Sequence, residues 1–319
     1  MKILANDGIS QEGIDKLTAA GFSVETTHVP QDELIDAINK EGYVALLVRS
    51  ATTVRKDLID ACPGLRFIGR GGVGMDNIDV AYAREKGITV ENTPAASSQS
   101  VAELVMGSMF SIARSLYDSH VNMPKSGASD FKLLKKKYAK GVELRGKTLV
   151  IVGFGRIGQS LASYALGVGM KVVAINRTAT KVAIPIELEG VDNLTVNIEA
   201  TEDLHAVLSS ADFISLHVPK QADGSEVIGE AEFARMKDGV RIVNAARGGV
   251  VDEDALLAAL ASGKVANIAL DVFENEPTPR EDLLVNEKIA CTPHIGAATL
   301  EAQARIGTEM ADKIIATLK

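Results

Sequence analysis

The stretch that decides the fold is TLVIVGFGRIG, residues 148–158, in which an apolar run leads directly into a glycine-rich turn. A segment with helical character, residues 157–167, follows the turn. In this setting Gly153 permits a tight turn, Gly155 lets backbone amides approach a pyrophosphate, and Gly158 permits close packing of helix on strand. The positive end of the helix dipole attracts phosphate. The stretch predicts a dinucleotide-binding unit in preference to a glycine-rich turn without a ligand.

Strand-like apolar runs recur on both sides of this turn. They lie at residues 3–5, 22–24, 43–48, 65–68 and 88–90 before it, and at 148–152, 171–175, 213–218, 240–243 and 268–272 from it onward. Because helix-like segments separate these runs, the alternation predicts an α/β protein with two doubly wound parallel sheets. Between the two series, residues 98–116 predict a helix that is apolar around much of its circumference. Such a helix is expected to be buried, and a subunit interface is one way to bury it.

The last segment, residues 300–318, has the pattern of an amphipathic helix. Its stripe of small and apolar residues consists of Leu300, Ala304, Gly307, Ala311, Ile314 and Leu318. We expect this helix to cross back onto the N-terminal unit, a placement that also draws on the resemblance described below.

Composition limits the classes of protein. At 319 residues and 46% hydrophobic content, the chain exceeds a single core, so two domains are expected. A net charge of −8 argues against a general nucleic-acid binder. Cys62 and Cys291 form no metal-spaced pair, and we interpret them as reduced thiols. The N-terminus MKILANDGIS lacks an apolar signal segment and no stretch predicts a membrane span, so a cytoplasmic protein is expected.

The residue that follows the second strand of the dinucleotide unit bears on the cofactor. An acidic residue there binds the adenosine ribose and repels a 2′-phosphate, but this chain has Asn176, followed by Arg177 and Thr178. An amide exerts no charge repulsion, and a guanidinium suits a phosphate. The sequence therefore predicts NAD(P), with NADP or dual use favoured, unless Arg177 points into solvent or stacks on adenine.

Three polar residues follow strand-like runs later in the chain. They are Arg247 in NAARGGVVDEDAL, Glu276 in LDVFENEP and His294 in TPHIGA. Loops at the carboxyl ends of strands line the ligand crevice of an open α/β sheet, so the three can converge. Oxidising a 2-hydroxy acid needs a base such as His294, which a carboxylate such as Glu276 can orient. Arg247 offers a bidentate partner for the substrate carboxylate, and no metal is required. Each residue alone is more often structural, so the interpretation depends on their joint occurrence.

At this point the chain resembles the D-2-hydroxyacid dehydrogenases over nearly its whole length. Besides the segments already quoted, the resemblance rests on VRSAT at 48–52, GRGGVGMDNID at 69–79, NTP at 92–94, SVAEL at 100–104 and ADFISLHVP at 211–219. The catalytic Arg, Glu and His of that family fall on Arg247, Glu276 and His294. The resemblance implies a flavodoxin-like substrate domain of residues 1–97 and 296–319. It also implies a central Rossmann cofactor domain of residues 98–295, and a homodimer formed through the helix that begins near residue 98.

The resemblance also implies contacts to ligands. Cofactor contacts would come from Val73, Gly155, Arg156, Ile157, Val218, Pro219, Ala245, Asp271 and Gly296, with Asp271 receiving the nicotinamide carboxamide. Contacts to a small anionic substrate would come from Arg49, Ser50, Gly72, Val73, Gly74 and Asn92, in addition to Arg247 and His294. Arg49 is the best candidate for a substrate phosphate or carboxylate. The basic run FKLLKKK, residues 131–137, either attracts that anion or forms a solvated face. The other histidines, His28, His120, His205 and His217, are interpreted as structural.

The activity implied by the resemblance is reversible oxidation of a D-2-hydroxy acid, with 3-phospho-D-glycerate favoured and serine biosynthesis as the setting. Because position 176 is not acidic, an NADPH-dependent glyoxylate or hydroxypyruvate reductase is an alternative. A binding protein that senses NAD as a corepressor is an alternative of another class. Since the chain ends soon after the last helix, the C-terminal regulatory domain of some relatives is not expected.

Overall fold

The computed structural model describes residues 1–221 and 223–319. Its strands over these residues are β1 (Lys2–Ala5), β2 (Ser23–Glu25), β3 (Tyr43–Val48), β4 (Phe67–Arg70), β5 (Thr89–Asn92), β6 (Thr148–Val152), β7 (Lys171–Ile175), β8 (Thr180–Pro185), β9 (Thr195–Thr201), β10 (Phe213–Leu216), β11 (Val240–Asn244), β12 (Val265–Leu270) and β13 (Ile289–Cys291). Its helices are α1 (Gln11–Ala19), α2 (Leu34–Glu41), α3 (Lys56–Ala61), α4 (Val80–Glu85), α5 (Ser98–Arg114), α6 (Leu116–Lys137), α7 (Arg156–Gly167), α8 (His205–Leu208), α9 (Glu230–Arg235), α10 (Glu253–Ser262), α11 (Glu281–Leu284) and α12 (Leu300–Leu318).

The chain folds into two compact units. Met1–Ser100 with Ala297–Lys319 forms the first, and Val101–Gly296 forms the second. The first unit has a parallel sheet in the order β2-β1-β3-β4-β5, which is the flavodoxin-like order. The sheet of the second unit runs β13-β12-β11-β10-β6-β7-β9-β8, and its stretch from β9 to β12 has the Rossmann order. The expected α/β class with two parallel-dominated sheets is confirmed.

The segment that follows β7 differs from the helical spacer expected there. Instead of a helix, β8 and β9 form an antiparallel pair, and β9 lies parallel to β7. The two strands carry β-branched residues and alternate between exposed and buried positions, with Ile184 and Ile198 buried in the core of the second unit. A period of two is the pattern of a half-buried strand. The prediction of a helical spacer at this point was therefore wrong.

The helix predicted over residues 98–116 ends earlier, at Arg114. Ser115 adopts a left-handed backbone with φ of 51°, and α6 begins at the next residue. The sequence analysis did not identify α6, because Pro124 and Gly127 interrupt its pattern. One face of α5 is buried in the core, as expected, but Phe110 on another face is 42% exposed. The expectation of a fully buried helix therefore holds for one face only.

The terminal helix α12 packs against α1 in the first unit. The two helices approach so closely that a Cβ atom on Gly13 would lie 2.9 Å from the Cα atom of Gly307. Further along α12, Met310 and Ile314 join the core cluster that contains Ile3 of β1. Leu300, which was expected in the buried stripe, is 88% exposed because it lies in the first turn, before the helix reaches that core.

Within the described parts of the chain, no helix combines the length and apolar content needed to cross a bilayer.

Candidate active site

The three candidate catalytic residues lie at one edge of the sheet in the second unit. Arg247 follows β11, Glu276 follows β12 and His294 follows β13. These strands are parallel neighbours, so their carboxyl ends fall on the same edge. The loops that carry the three side chains therefore start side by side, as the sequence analysis expected.

His294 and Glu276 form a hydrogen-bonded pair. The Nδ1 atom of His294 lies 2.7 Å from Oε2 of Glu276, and the side chains are 36% and 33% exposed. The other carboxylate oxygen, Oε1, accepts a hydrogen bond from the backbone amide of Phe273 at 3.0 Å. When Nδ1 carries the ring proton and donates a hydrogen bond to the carboxylate, Nε2 is unprotonated and can accept a proton. The pair has the arrangement of a base with its orienting acid.

Arg247 is held close to this pair. Its backbone carbonyl accepts a hydrogen bond from the Asn244 amide at 3.0 Å, and its guanidinium donates to the Ala246 carbonyl at 2.6 Å. The next residue, Gly248, lies so close to Phe273 that a Cβ atom would overlap the Phe273 carbonyl. Only glycine fits where the loops after β11 and β12 touch. The structure thus brings the loops of Arg247 and Glu276 into direct contact.

The electrostatics of Glu276 agree with this geometry. Burial by itself would raise the pKa of its carboxyl group. Hydrogen bonds from His294 and the Phe273 amide, together with the positive charge of Arg247, outweigh burial and hold the pKa of Glu276 below its ordinary value. Glu276 is therefore charged throughout the neutral range.

The loop that carries His294 is fixed by Asp271, which is buried at the end of β12. Its Oδ1 atom accepts hydrogen bonds from the Thr292 hydroxyl at 2.6 Å and the Ile295 amide at 2.8 Å, and Oδ2 accepts one from the Gly296 amide at 2.8 Å. Between these anchors His294 adopts a left-handed backbone with φ of 55°, which is uncommon for a residue other than glycine. Sequence reasoning gave Asp271 a cofactor contact and missed this bracing of the loop.

Glu253 is a second acidic residue that sequence reasoning missed. It is 6% exposed at the start of α10, and its Oε1 atom accepts a hydrogen bond from the Glu274 amide at 3.0 Å. Burial raises the pKa of its carboxyl group. The contact ties the loop between β12 and Glu276 to α10.

The glycine-rich turn after β6 has the space that each of its three glycines was predicted to need. Gly153 has φ of 95°, and a Cβ atom on it would lie 2.6 Å from the His217 carbonyl oxygen. A Cβ atom on Gly158 would lie 2.5 Å from the Gly153 carbonyl oxygen, whereas a Cβ atom on Gly155 would project into open space. Among the described residues no side chain caps α7, whose first residues are Arg156 and Ile157. Open space at an uncapped helix N-terminus fits a bound pyrophosphate.

The loop after β7 is arranged differently from a typical NAD site. The side-chain oxygen of Asn176 accepts a hydrogen bond from the Arg177 amide at 3.1 Å, and the side chains of Arg177 and Thr178 are exposed. Sequence reasoning missed Glu202, whose Oε1 atom accepts a hydrogen bond from the Ala179 amide at 2.9 Å. The carboxylate of Glu202, which directly follows β9, thus lies beside the loop after β7, where the chain has Asn176 in place of an acidic residue.

The remaining predicted cofactor residues of the second unit lie at the same carboxyl edge. Val218 and Pro219 follow β10, and Ala245 follows β11. Val218 also borders the glycine-rich turn, since a Cβ atom on Gly153 would lie 3.0 Å from its Cγ1 atom.

The candidate substrate residues of the first unit also share one sheet edge. Arg49 and Ser50 follow β3, the Gly72–Gly74 segment with Val73 follows β4, and Asn92 ends β5. The Arg49 amide donates to Oδ2 of Asp7 at 2.6 Å, and the Asn77 side chain donates to the Arg49 carbonyl at 2.8 Å. Asn92 donates to the Val73 carbonyl at 2.5 Å. Sequence reasoning missed Asp7 and Asn77, whose role is to hold the loops.

Three of the other histidines have structural partners. His28 contacts the Asn6 carbonyl at 3.0 Å, and His205 lies 2.8 Å from Glu232. His217 lies 2.8 Å from the Ser215 hydroxyl, and burial lowers its pKa to about 4, so it stays neutral.

Most of the basic run is a solvated face of α6. Lys137 is the exception, since it pairs with Asp118 at 2.8 Å and Glu287 at 3.0 Å. Lys132, Lys135 and Lys136 are exposed. Cys62 and Cys291 are both free thiols.

Known proteins resemble this chain in sequence and in fold. A family model described as "D-isomer specific 2-hydroxyacid dehydrogenase, NAD binding domain" matches residues 106–296. The chain is 43% identical to a hydroxypyruvate reductase of Thermotoga maritima, covering 99% of this chain and 98% of the relative. Over 100% of its own length, this chain is 41% identical to a D-3-phosphoglycerate dehydrogenase of Methanocaldococcus jannaschii, but it spans only 58% of that longer relative.

Among solved structures, the chain resembles a glyoxylate reductase from Paecilomyes thermophila with a TM-score of 0.82 and 30% identity, covering 98% of this chain and 94% of that one. The family model covers more than half of the described chain, and the T. maritima relative is matched from end to end. The chain therefore belongs to the D-isomer-specific 2-hydroxyacid dehydrogenases, a family of NAD(P)-dependent oxidoreductases.

Proposed function

We propose that Arg247, Glu276 and His294 carry out the interconversion of a D-2-hydroxy acid and its 2-keto acid. The observation that carries this proposal is the 2.7 Å hydrogen bond between His294 and Glu276, beside the loop of Arg247. In the oxidation direction Nε2 of His294 accepts the hydroxyl proton, and in the reduction direction it returns that proton. Glu276 holds the opposite nitrogen and so orients the ring. Arg247 binds the substrate carboxylate in a bidentate manner.

The nicotinamide cofactor supplies the acceptor or donor of the hydride when it is bound. The open space at Gly155 and the uncapped start of α7 support binding of its pyrophosphate there. We propose dual use of NAD and NADP, because Arg177 is exposed and available to a 2′-phosphate, while Glu202 lies close enough to oppose a strict preference for it.

We propose 3-phospho-D-glycerate as the substrate. It differs from D-glycerate, the product of hydroxypyruvate reduction, only by a phosphate on the third carbon. A cation is needed to distinguish the two, and Arg49 is the candidate in the first unit, since Asp7 and Asn77 fix its backbone.

Reduction of unphosphorylated hydroxypyruvate is the second candidate activity. It is favoured by the T. maritima relative, which this chain matches over 98% of that relative's length. Initial rates with 3-phosphoglycerate, hydroxypyruvate and glyoxylate, each with both cofactors, distinguish the candidates. If phosphoglycerate is the substrate, Arg49→Met is expected to raise its KM at least tenfold and leave the KM for hydroxypyruvate unchanged. Rapid reduction of hydroxypyruvate without turnover of phosphoglycerate would establish the second candidate, and cofactor binding without any turnover would leave a binding protein.

We also propose that the chain forms a homodimer through α5 and α6. Large apolar side chains remain exposed along these helices, namely Phe110, Leu116, Val121, Met123, Phe131 and Leu133. A surface of this kind fits association with a second copy. Sedimentation analysis is expected to give a dimer for the native chain and a monomer for the double variant Phe131→Glu, Leu133→Glu. A monomeric native chain would refute the proposal.

A further inference from the structure

A cleft of about 340 Å³ opens in the second unit at the edge of the sheet opposite the candidate active site. Arg241 lies near the amino end of β11, Asn267 near the amino end of β12, and Lys288 directly before β13. The start and end of α6 close the cleft with Asp118 and Lys137. Its volume is within the range of small-molecule sites.

The charge of the cleft is opposite to that of the chain. Arg241, Lys137, Lys140 and Lys288 supply four positive charges, and Asp118 and Glu287 supply two negative ones. Both carboxylates pair with Lys137. The remaining three cations form no ion pair with any residue the structure describes, which leaves a local charge of +2 on a chain whose net charge is −8.

Arg241 is the least satisfied of these cations. Its Nε atom is buried and has no hydrogen-bond partner among the described residues, and one terminal nitrogen makes only a long bond of 3.3 Å to the Gly239 carbonyl. The guanidinium carbon of Arg241 lies 5.9 Å from the centre of the Phe213 ring. A buried donor without a partner destabilises the folded chain, and a bound acceptor would relieve part of that cost.

We propose that this cleft binds a small anion with two or more negative charges, at a site separate from those of substrate and cofactor. Arg241 is the central donor and Lys140 supplies charge, while Lys288 adds charge although its ammonium also donates a hydrogen bond to the Leu260 carbonyl. The strands β11, β12 and β13 link the two sites, because each begins at the cleft and ends at a loop that carries Arg247, Glu276 or His294. The length of these strands separates the sites by roughly 15 to 20 Å. An anion bound here is out of reach of the reacting atoms, so it would not take part in the hydride transfer.

The test uses inorganic pyrophosphate as the probe, titrated calorimetrically into the chain at fixed ionic strength with NADH at saturation, so that the dinucleotide site is occupied. The native chain is expected to bind one equivalent saturably. Arg241→Met is expected to weaken binding at least tenfold, in line with the loss of a charge-assisted hydrogen bond. Lys140→Met removes an exposed charge of the cleft without affecting packing, and is expected to weaken binding severalfold.

The matched control is Lys40→Met, which removes an exposed charge of α2 outside the cleft and is expected to bind like the native chain. Equal affinities of the native chain, Arg241→Met and Lys140→Met would overturn the proposal, as would the absence of saturable binding to the native chain. Because the readout is binding, either result is independent of which hydroxy acid the enzyme oxidises.

Discussion

The substitution Glu276→Gln tests the proposed acid–base pair directly. Gln keeps the size of the side chain and leaves an oxygen for the Phe273 amide, but it removes the negative charge 2.7 Å from the His294 ring. A hydrogen bond to a charged group contributes about 1.5 to 3 kcal/mol. Because both side chains are about one-third exposed, solvent screens the pair and the lower end of that range applies. The expected loss is about 1.5 kcal/mol, or slightly more than tenfold in kcat.

Steady-state kinetics at neutral pH, where the lowered pKa keeps Glu276 charged in the native chain, measures this loss. The fall is expected in kcat, with little change in the KM for cofactor. The deuterium isotope effect with substrate labelled at the second carbon is expected to rise as chemistry becomes rate-limiting.

The matched control for this substitution is Glu274→Gln, which neutralises an exposed carboxylate two residues away and is expected to leave kcat unchanged. A kcat for Glu276→Gln within twofold of the native value would refute the pairing as a catalytic device. Equal losses in both variants would show a general effect of charge on the loop.

Three further substitutions test other parts of the site. Gly158→Ala is expected to lower Tm by several degrees, because overpacking costs about 1 to 3 kcal/mol. Gly155→Ala is expected to keep the native Tm and to weaken cofactor binding. The opposite pattern in thermal unfolding would contradict the roles of the two glycines. Arg177→Met is expected to raise the KM for NADP about tenfold and leave that for NAD unchanged, while Glu202→Gln improves NADP; parallel changes with both cofactors would exclude a contact to the 2′-phosphate. Gly248→Ala is expected to displace the Arg247 loop and reduce kcat/KM about a hundredfold, and near-native kinetics would show that the loop tolerates the clash.

The elements of the fold could be predicted wherever the apolar residues followed a single clear pattern, that of a strand or that of a helix. The run at 148–152 before GFGRIG has the strand and turn it predicted, and the terminal helix has the predicted bounds. The failures came from competing signals. The strands β8 and β9 lie where a doubly wound fold normally has a helix, so the fold pattern obscured their period-two alternation. Pro124 and Gly127, which disfavour a helix, likewise obscured the helical pattern of α6.

The sequence predicted the site residues that carry reactive groups. It did not predict the residues that hold the site's loops in place through hydrogen bonds. Arg247, Glu276 and His294 were found because a base, its partner and an anion ligand have recognisable types in strand-end loops. Asp7 and Glu253 were missed because a carboxylate that accepts backbone amides has no signature in the sequence until the amides it binds are known. Such partners lie 21 or more residues away along the chain.

The packing of α12 on α1 has a consequence for how the chain is made. On the ribosome, the segment from Val101 to Gly296 is synthesised before α12, so folding of the second unit can begin while the first unit still lacks that helix. The strand β1 is synthesised first, yet the apolar cluster around Ile3 stays open to water until Ile314 arrives. The core of the N-terminal region therefore stays incomplete during synthesis until α12 has been made.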